Sequence, residues 1–271
     1  MDEKDLLNEN YVAHYTKLKT LLSDILPKKQ LKLSMAESVN DPFENTTDWI
    51  DDDPSTELTI QTLFHKDTIE SYLGKYIKLF STTLFDTESL TKEGIENLYY
   101  GIPILWSHYG DRHNGVCLIL DKREISQNIK NSLEGKLFQD KIFYRAYHGL
   151  EDYGVSVDRQ ELPSLVDSPD LLFQLINKNG YIKKKYFEKT NCWSVENEYR
   201  WLVLNKNIED TFFPIGNALK AIIIGAGIKK EKFISVFEKI KNARTSSNVK
   251  FAIFALECRT GKYYIDSFGI E

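Results

Sequence analysis

The chain alternates between short period-two runs and stretches of helical spacing, and these set its elements. Tyr11-Val12-Ala13-His14-Tyr15 reads as a strand, followed by a helix on which Leu18, Leu21, Leu22 and Leu26 recur, with Thr16 as N-cap and Pro27 as its stop. Leu31-Lys32-Leu33-Ser34 predicts a second strand. Beyond it, Asn40-Asp41-Pro42-Phe43-Glu44 has the form of a helix start, with Asp41 capping, Pro42 in the first position and Glu44 completing a variant capping box. The acidic turn at 51–55 opens a helix to about Tyr76, and 77–83 alternates as a strand that turns polar at Ser81. Helices are expected over 91–100 and 103–110, the latter started by Pro103 and ended by Gly110.

Val116-Cys117-Leu118-Ile119-Leu120 predicts a buried strand, and 137–144 another. A polar segment follows to about Ser168, then a helix over 169–188. Cys192 to Leu204 reads as a strand with Glu196, Glu198 and Arg200 on one face and Trp193, Val195, Tyr199 and Trp201 on the other. Phe212-Phe213-Pro214-Ile215 predicts an edge strand and Ala221–Gly225 a core strand. A helix over 229–241 and a hairpin around Arg259-Thr260-Gly261-Lys262 close the chain. The expected class is α+β: a mixed, mainly antiparallel sheet with inserted helices, in a single domain over 1–271.

Composition narrows the chemistry. The 271 residues carry a net charge of −5, which argues against broad nucleic-acid binding, because that requires a basic surface to displace counterions. No apolar run approaches the roughly 20 residues that span a bilayer, and the charged N-terminus lacks a signal-peptide core, so a cytoplasmic location is expected. Three scattered cysteines give no disulfide framework and suggest buried, reduced thiols. With 15 Tyr, 15 Phe and 4 Trp, ring-lined pockets are plausible.

The motifs that could carry chemistry are few. Two like charges two residues apart at Glu196 and Glu198, leading into an apolar run, are an unusual core strand and mark a candidate site; the plain alternative is an ion pair on a wet face. His108, Asp111 and His113 are close together, but their spacing does not match a metal-binding helix, and no metal is expected. Gly225-Ala226-Gly227 lacks the third glycine of a dinucleotide loop, and no nucleophile elbow is present. A carboxylate with His, Ser, Trp and Tyr around it suits chemistry at an electron-poor sugar carbon, where an anion stabilises an oxocarbenium-like transition state. NAD fits that description as a substrate, with Glu198 on a ribose hydroxyl. His14 as a core histidine and Trp106 and Trp193 as core rings are the plain alternatives.

His14-Tyr15-Thr16, Leu31–Ser34 with Asn40–Glu44, Phe80-Ser81, Trp106-Ser107-His108-Tyr109 with Gly115-Val116, Trp193 with Glu196, Glu198, Tyr199 and Arg200, and Ile224-Gly225 together resemble the bacterial family labelled domain of unknown function 2971. The likeness runs from about 11 to 228, leaving the helix and hairpin of 229–271 outside. A more distant resemblance is to mono-ADP-ribosyltransferases. It implies an ADP-ribosyltransferase-like fold in which His14 holds the NAD ribose, Ser81 positions the catalytic Glu198, and Glu196 directs the acceptor. Tyr15, Thr16, Asn40, Asp41, Trp106, His108, Tyr109 and Arg200 are the further nucleotide-binding candidates. The implied role is an intracellular toxin or antiviral defence effector acting on a macromolecule. The competing expectation is a non-catalytic nucleotide-binding or sensor module of a bacterial defence system.

Overall fold

A computed structural model describes residues 2–41, 44, 50–52, 59–86, 94–146, 155–178 and 180–268. The chain forms two compact units: Met1–Leu31, Ser81–Leu133 and Phe212–Glu271 make the first, and Lys32–Phe80 and Glu134–Thr211 the second. Because the chain alternates between them, no single cut separates the two.

In the first unit, the strand Tyr11–Thr16 runs antiparallel to Val116–Asp121, with Tyr11 opposite Asp121 and Thr16 opposite Val116. Val116–Asp121 pairs in turn with Leu219–Ile224, across a register shift between Leu219 and Ala221. Leu219–Ile224 is parallel to Ala252–Arg259, a pairing that needs the intervening helix Lys230–Ser247 as a crossover. The hairpin to Lys262–Phe268 follows, antiparallel, as its glycine-containing turn predicts. Ala13, Tyr15, Cys117, Ile119, Ala221, Ile223 and Phe254 bury one face of these strands against Tyr99, Tyr100, Leu105 and Trp106.

In the second unit, Glu198–Leu204 pairs antiparallel with Lys136–Lys141, placing Arg200 opposite Asp140. It also pairs with the strand Ile77–Leu84, to which Gln30–Met35 is antiparallel through Ser34 and Leu79. Phe143–Arg145 lies parallel to Glu188–Thr190. The helix Ile60–Tyr76, started by Thr59 accepting from the Thr62 N–H, buries Ile69 and Leu73 against Leu162, Leu172, Ile176, Tyr186, Leu202 and Leu204. The class is therefore α+β, mostly antiparallel with helices between strands. No helix among the described residues is long and apolar enough to cross a membrane.

Several elements differ from the expectation. Thr16 ends a strand instead of capping a helix, and Lys17 takes the cap position. Pro27 sits inside the last turn, Leu26–Lys28, after a π-helical turn over Leu21–Ile25, and Lys29 in a left-handed conformation is the stop. The helix expected over 91–100 is a 3-10 turn at Ile95–Asn97, with residues 91–93 outside the described ones. Lys122–Ser132 is a helix that was not expected. Its signal was present, because the Asp121 carboxylate accepts from the N–H groups of Arg123 and Glu124. The polar segment before 168 contains the helix Leu162–Asp167, and the helix of 169–188 is two, Pro169–Lys178 and Tyr181–Tyr186, separated by left-handed Gly180. The final helix runs past 241 to Ser247. Of the cysteines only Cys117 is buried; Cys192 and Cys258 are exposed.

Candidate functional site: a buried cluster of carboxylates and cations

The stretch expected to be one strand is two elements. Asn191–Glu196 is a 3-10 turn, Asn197 takes a left-handed conformation with φ 40°, and the strand begins only at Glu198. Trp193 and Val195 therefore do not line the far side of a strand. Glu196 and Glu198 still come together, because the tight turn carries both carboxylates to one lysine. Lys189 Nζ lies 2.9 Å from Glu196 Oε2 and 2.7 Å from Glu198 Oε2, and 5.4 Å from the centre of the Trp193 ring.

Arg200 shares a strand face with Glu198 and completes the cluster. Its Nε donates to Glu198 Oε1 at 2.6 Å and its NH2 to Oε2 at 3.1 Å, a two-point contact that suits the planar guanidinium. NH1 donates to Glu44 Oε1 at 2.6 Å and to the Tyr186 carbonyl at 2.7 Å. The Glu198 N–H donates to the Tyr144 hydroxyl oxygen at 2.9 Å. The Arg200 side chain is 1% exposed, that of Glu198 4% and that of Glu44 3%. Charges so far from water persist only when paired in this way.

The cluster sets the protonation of its members. Burial opposes the charge on Glu198, yet Arg200 and Lys189 bring its carboxyl down to about 2. Burial pushes the Glu44 carboxyl up, against the pull of Arg200 and Lys189. Burial likewise works against the Lys189 ammonium, but Glu198 and Glu44 beside it hold it above the usual lysine range. Burial pushes the Lys185 ammonium down to about 8, against the pull of Glu70 and Glu44.

These shifts set a pH dependence. The depressed carboxyl of Glu198 contributes stability that is complete above its ordinary value of 4.5 and is lost as pH falls towards about 2. The contribution is on the order of 3 kcal/mol at neutral pH. Glu44 runs the other way, its raised carboxyl being easier to protonate in the fold, so it returns part of that loss. Among the described residues two cations hold Glu198 and one directly holds Glu44, so the Glu198 loss is expected to dominate. Urea midpoints measured at pH 7, 4.5 and 3 should fall steeply over the last interval. A midpoint unchanged from pH 4.5 to 3 would refute this account.

The remaining candidates are distributed as follows. Asn40 is exposed, and Asp41 is buried with its carbonyl accepting from the Glu44 N–H at 3.1 Å. Pro42, Phe43 and the helix expected after them lie outside the described residues. In the first unit, His14 Nδ1 is 3.0 Å from the Ser81 carbonyl. A carbonyl only accepts, so Nδ1 carries the proton, and burial holds the ring neutral by lowering its pKa. In that bond Ser81 contributes its main chain.

Strand alternation separates the other first-unit candidates. Tyr15 belongs with Cys117, Ile223 and Trp106 on the buried face, while His14 and Thr16 fall on the opposite face beside Leu118 and Val116. His14, Tyr15 and Thr16 thus do not point into one site. Tyr15 Oη donates to the Tyr99 carbonyl at 2.7 Å, and its ring meets that of Trp106 edge-on at 5.2 Å. Trp106 Nε1 donates to the Tyr100 carbonyl at 2.9 Å. Tyr109 is half-buried against the same cluster, and His108 is exposed. Trp106 and Tyr15 are core rings here. Gly225 explains part of the motif, since a Cβ there would stand 2.3 Å from the His113 carbonyl oxygen and 2.8 Å from the Trp106 ring.

Lys189, Glu44, Tyr144 and Tyr186 were not among the candidates. Glu44 lay in a loop whose local account as a capping box was sufficient, and a lone lysine such as Lys189 carries no pattern.

Comparison with known proteins adds the family level. Residues 105–201 match the family model described as "Protein of unknown function (DUF2971)". The DUF2971 match includes Trp106–Tyr109 and Trp193–Arg200, and is narrower than the likeness over 11–228, leaving His14, Asn40–Glu44 and Ser81 outside it. No curated protein matches the sequence. A solved structure of the DarT of Thermus sp. 2.9, in complex with ADP-ribosylated ssDNA, is similar at 12% identity and a TM-score of 0.34, covering 90% of this chain and 94% of that one. Agreement at that level assigns no chemistry, which rests on the chain's own side chains.

Proposed function

We propose that this chain is an ADP-ribosyltransferase-like enzyme that cleaves NAD and transfers ADP-ribose to an acceptor inside the cell, as a toxin or antiviral effector. The observation that supports it is a glutamate, Glu198, held anionic with its carboxyl near 2 by Arg200 and Lys189. A fixed anion stabilises the positive charge that develops on the ribose as nicotinamide departs. Glu196, sharing Lys189 with Glu198, takes the role of directing the acceptor. Incubation with NAD should release nicotinamide, and Glu198→Gln should reduce the rate by at least about a hundredfold, in the range that loss of one electrostatic contact costs an enzyme. Equal rates would dismiss the mechanism.

One observation favours a second reading, a non-catalytic nucleotide-binding module. Both oxygens of Glu198 are engaged by Arg200 and Lys189 and its side chain is 4% exposed, as in a structural ion cluster. Stabilisation of the chain by NAD in a thermal-shift experiment, without nicotinamide release, would select this reading.

A further inference from the structure

The strand Lys262–Phe268 is the last of its sheet. It pairs on one edge with Ala252–Arg259 and, among the described residues, with no strand on the other. Such an edge offers a row of backbone N–H and C=O groups to any strand that fits it, and natural sheets blunt it with proline, a bulge or charge. This strand has no proline, and its pairing runs in unbroken register from Ile253 opposite Phe268 to Arg259 opposite Lys262. Only charge is left to protect it.

Its two charged residues, Lys262 and Asp266, alternate with Tyr264 and share its face; the Tyr264 side is open, at 43% exposure. Lys262 is exposed and stands opposite Arg259, a like charge that costs the hairpin stability. Arg259 turns away from it. Its Nε donates to Glu257 at 2.6 Å and its NH2 lies 3.5 Å from Asp266, so Arg259 takes up the carboxylates of this face and leaves Lys262 with none among the described residues. On the other face Tyr263 and Ile265 pack half-buried on the core of the first unit.

The spacing of these residues is self-complementary. When two copies lie antiparallel about a two-fold axis through Tyr264, Lys262 of each faces Asp266 of the other, Tyr263 faces Ile265, and the two Tyr264 rings meet at the axis. Opposed residues must share a face, so the neighbouring registers are centred on Tyr263 and on Ile265. The first sets Lys262 against Tyr264 and the second sets it against Phe268, and neither forms a directly opposed Lys–Asp pair. A lone edge lysine would repel a second copy, whereas a lysine and an aspartate placed symmetrically about a centre attract the same sequence run in the opposite direction.

We propose that a second copy of this chain docks on this edge, residues 262–266 antiparallel to the same residues, so that the sheet of the first unit continues through the two-fold axis. The second copy supplies the carboxylate that Lys262 lacks, twice per dimer. Charge selects both the occupant and the register, and the docking is independent of the chemistry proposed above.

The test is sedimentation velocity of the full chain at low salt, where exposed charges are screened least. Concentrations up to about 200 µM populate a dimer whose dissociation constant is micromolar, and a monomer–dimer equilibrium is expected. Asp266→Lys and Lys262→Asp each turn two attractive pairs into two repulsive ones and should weaken dimerisation about tenfold or more. Mixed in equal amounts, the two variants should dimerise with each other about as tightly as unaltered copies do, because only the mixed pair restores opposite charges. Lys130→Glu, an exposed change on the helix Lys122–Ser132 of the same unit, should leave dimerisation unchanged. An unaltered chain that stays monomeric throughout, or single variants that dimerise as it does, would overturn the docking; a mixture no tighter than either variant alone would overturn the register. Should one variant fail to fold by circular dichroism, the other decides: a tenfold loss supports the contact and an equal affinity refutes it.

Discussion

Arg200→Leu is expected to destabilise the chain by about 3–5 kcal/mol, the usual cost of removing one partner from a buried ion pair. Three of its N–H groups neutralise two carboxylates and a fourth bond caps the Tyr186 carbonyl. Without it, among the described residues, Glu198 keeps Lys189 and Glu44 loses the Arg200 donor to its Oε1. Total stabilities of native domains are about 5–15 kcal/mol, so the variant sits at the edge of folding. Urea denaturation at pH 7 measures the loss. The cause is checked by a triple change, Arg200→Leu with Glu44→Leu and Glu198→Leu, which removes the stranded charges and should recover much of the stability. A loss below about 1 kcal/mol in the single variant would mean that water or other side chains already compensate these carboxylates.

Trp106→Ala should cost about 3–5 kcal/mol, as large-to-small changes of core aromatics do. The indole is fully buried, its N–H satisfies the Tyr100 carbonyl, and the edge of Tyr15 packs on it. The variant loses apolar burial, leaves a void and orphans a carbonyl, three penalties that add at one position. For Trp106→Phe the void is smaller, and the orphaned carbonyl accounts for most of the loss. Thermal melting of the two variants separates these contributions: a midpoint as high as the unaltered chain in Trp106→Ala would show that the ring is not core, and would reopen it as a ligand-binding surface.

These two residues came from the same kind of sequence observation and ended in different roles. Trp106-Ser107-His108-Tyr109 and Glu196-Asn197-Glu198-Tyr199-Arg200 both stood out as dense groups of functional residue types. The first resolves into packing, with Trp106 and Tyr15 interlocked and Ser107 and His108 on the surface. The second resolves into a charge cluster. Sequence could not separate them, because an aromatic ring serves a core and a binding site by the same chemistry, and burial is a property of what lies opposite.

Period-two and helical spacing determined most of the elements. The strands at Tyr11–Thr16 and Ile77–Leu84 follow from local alternation, those at Val116–Asp121 and Leu219–Ile224 from short continuous apolar runs, and the closing hairpin from its turn residues. The α+β class follows from their sequence in the chain. Alternation also carried information that the site proposal overlooked, since it puts Tyr15 on the face opposite His14 and Thr16.

What only the tertiary structure decided is the company each charge keeps. Glu196 and Glu198 meet at Lys189 through a 3-10 turn and a left-handed Asn197, and Glu44 meets Arg200 from 156 residues away. No spacing rule encodes such pairs, because they form where separate elements pack and their energy comes from shared removal from water, a condition that no residue carries in its own neighbourhood of the chain.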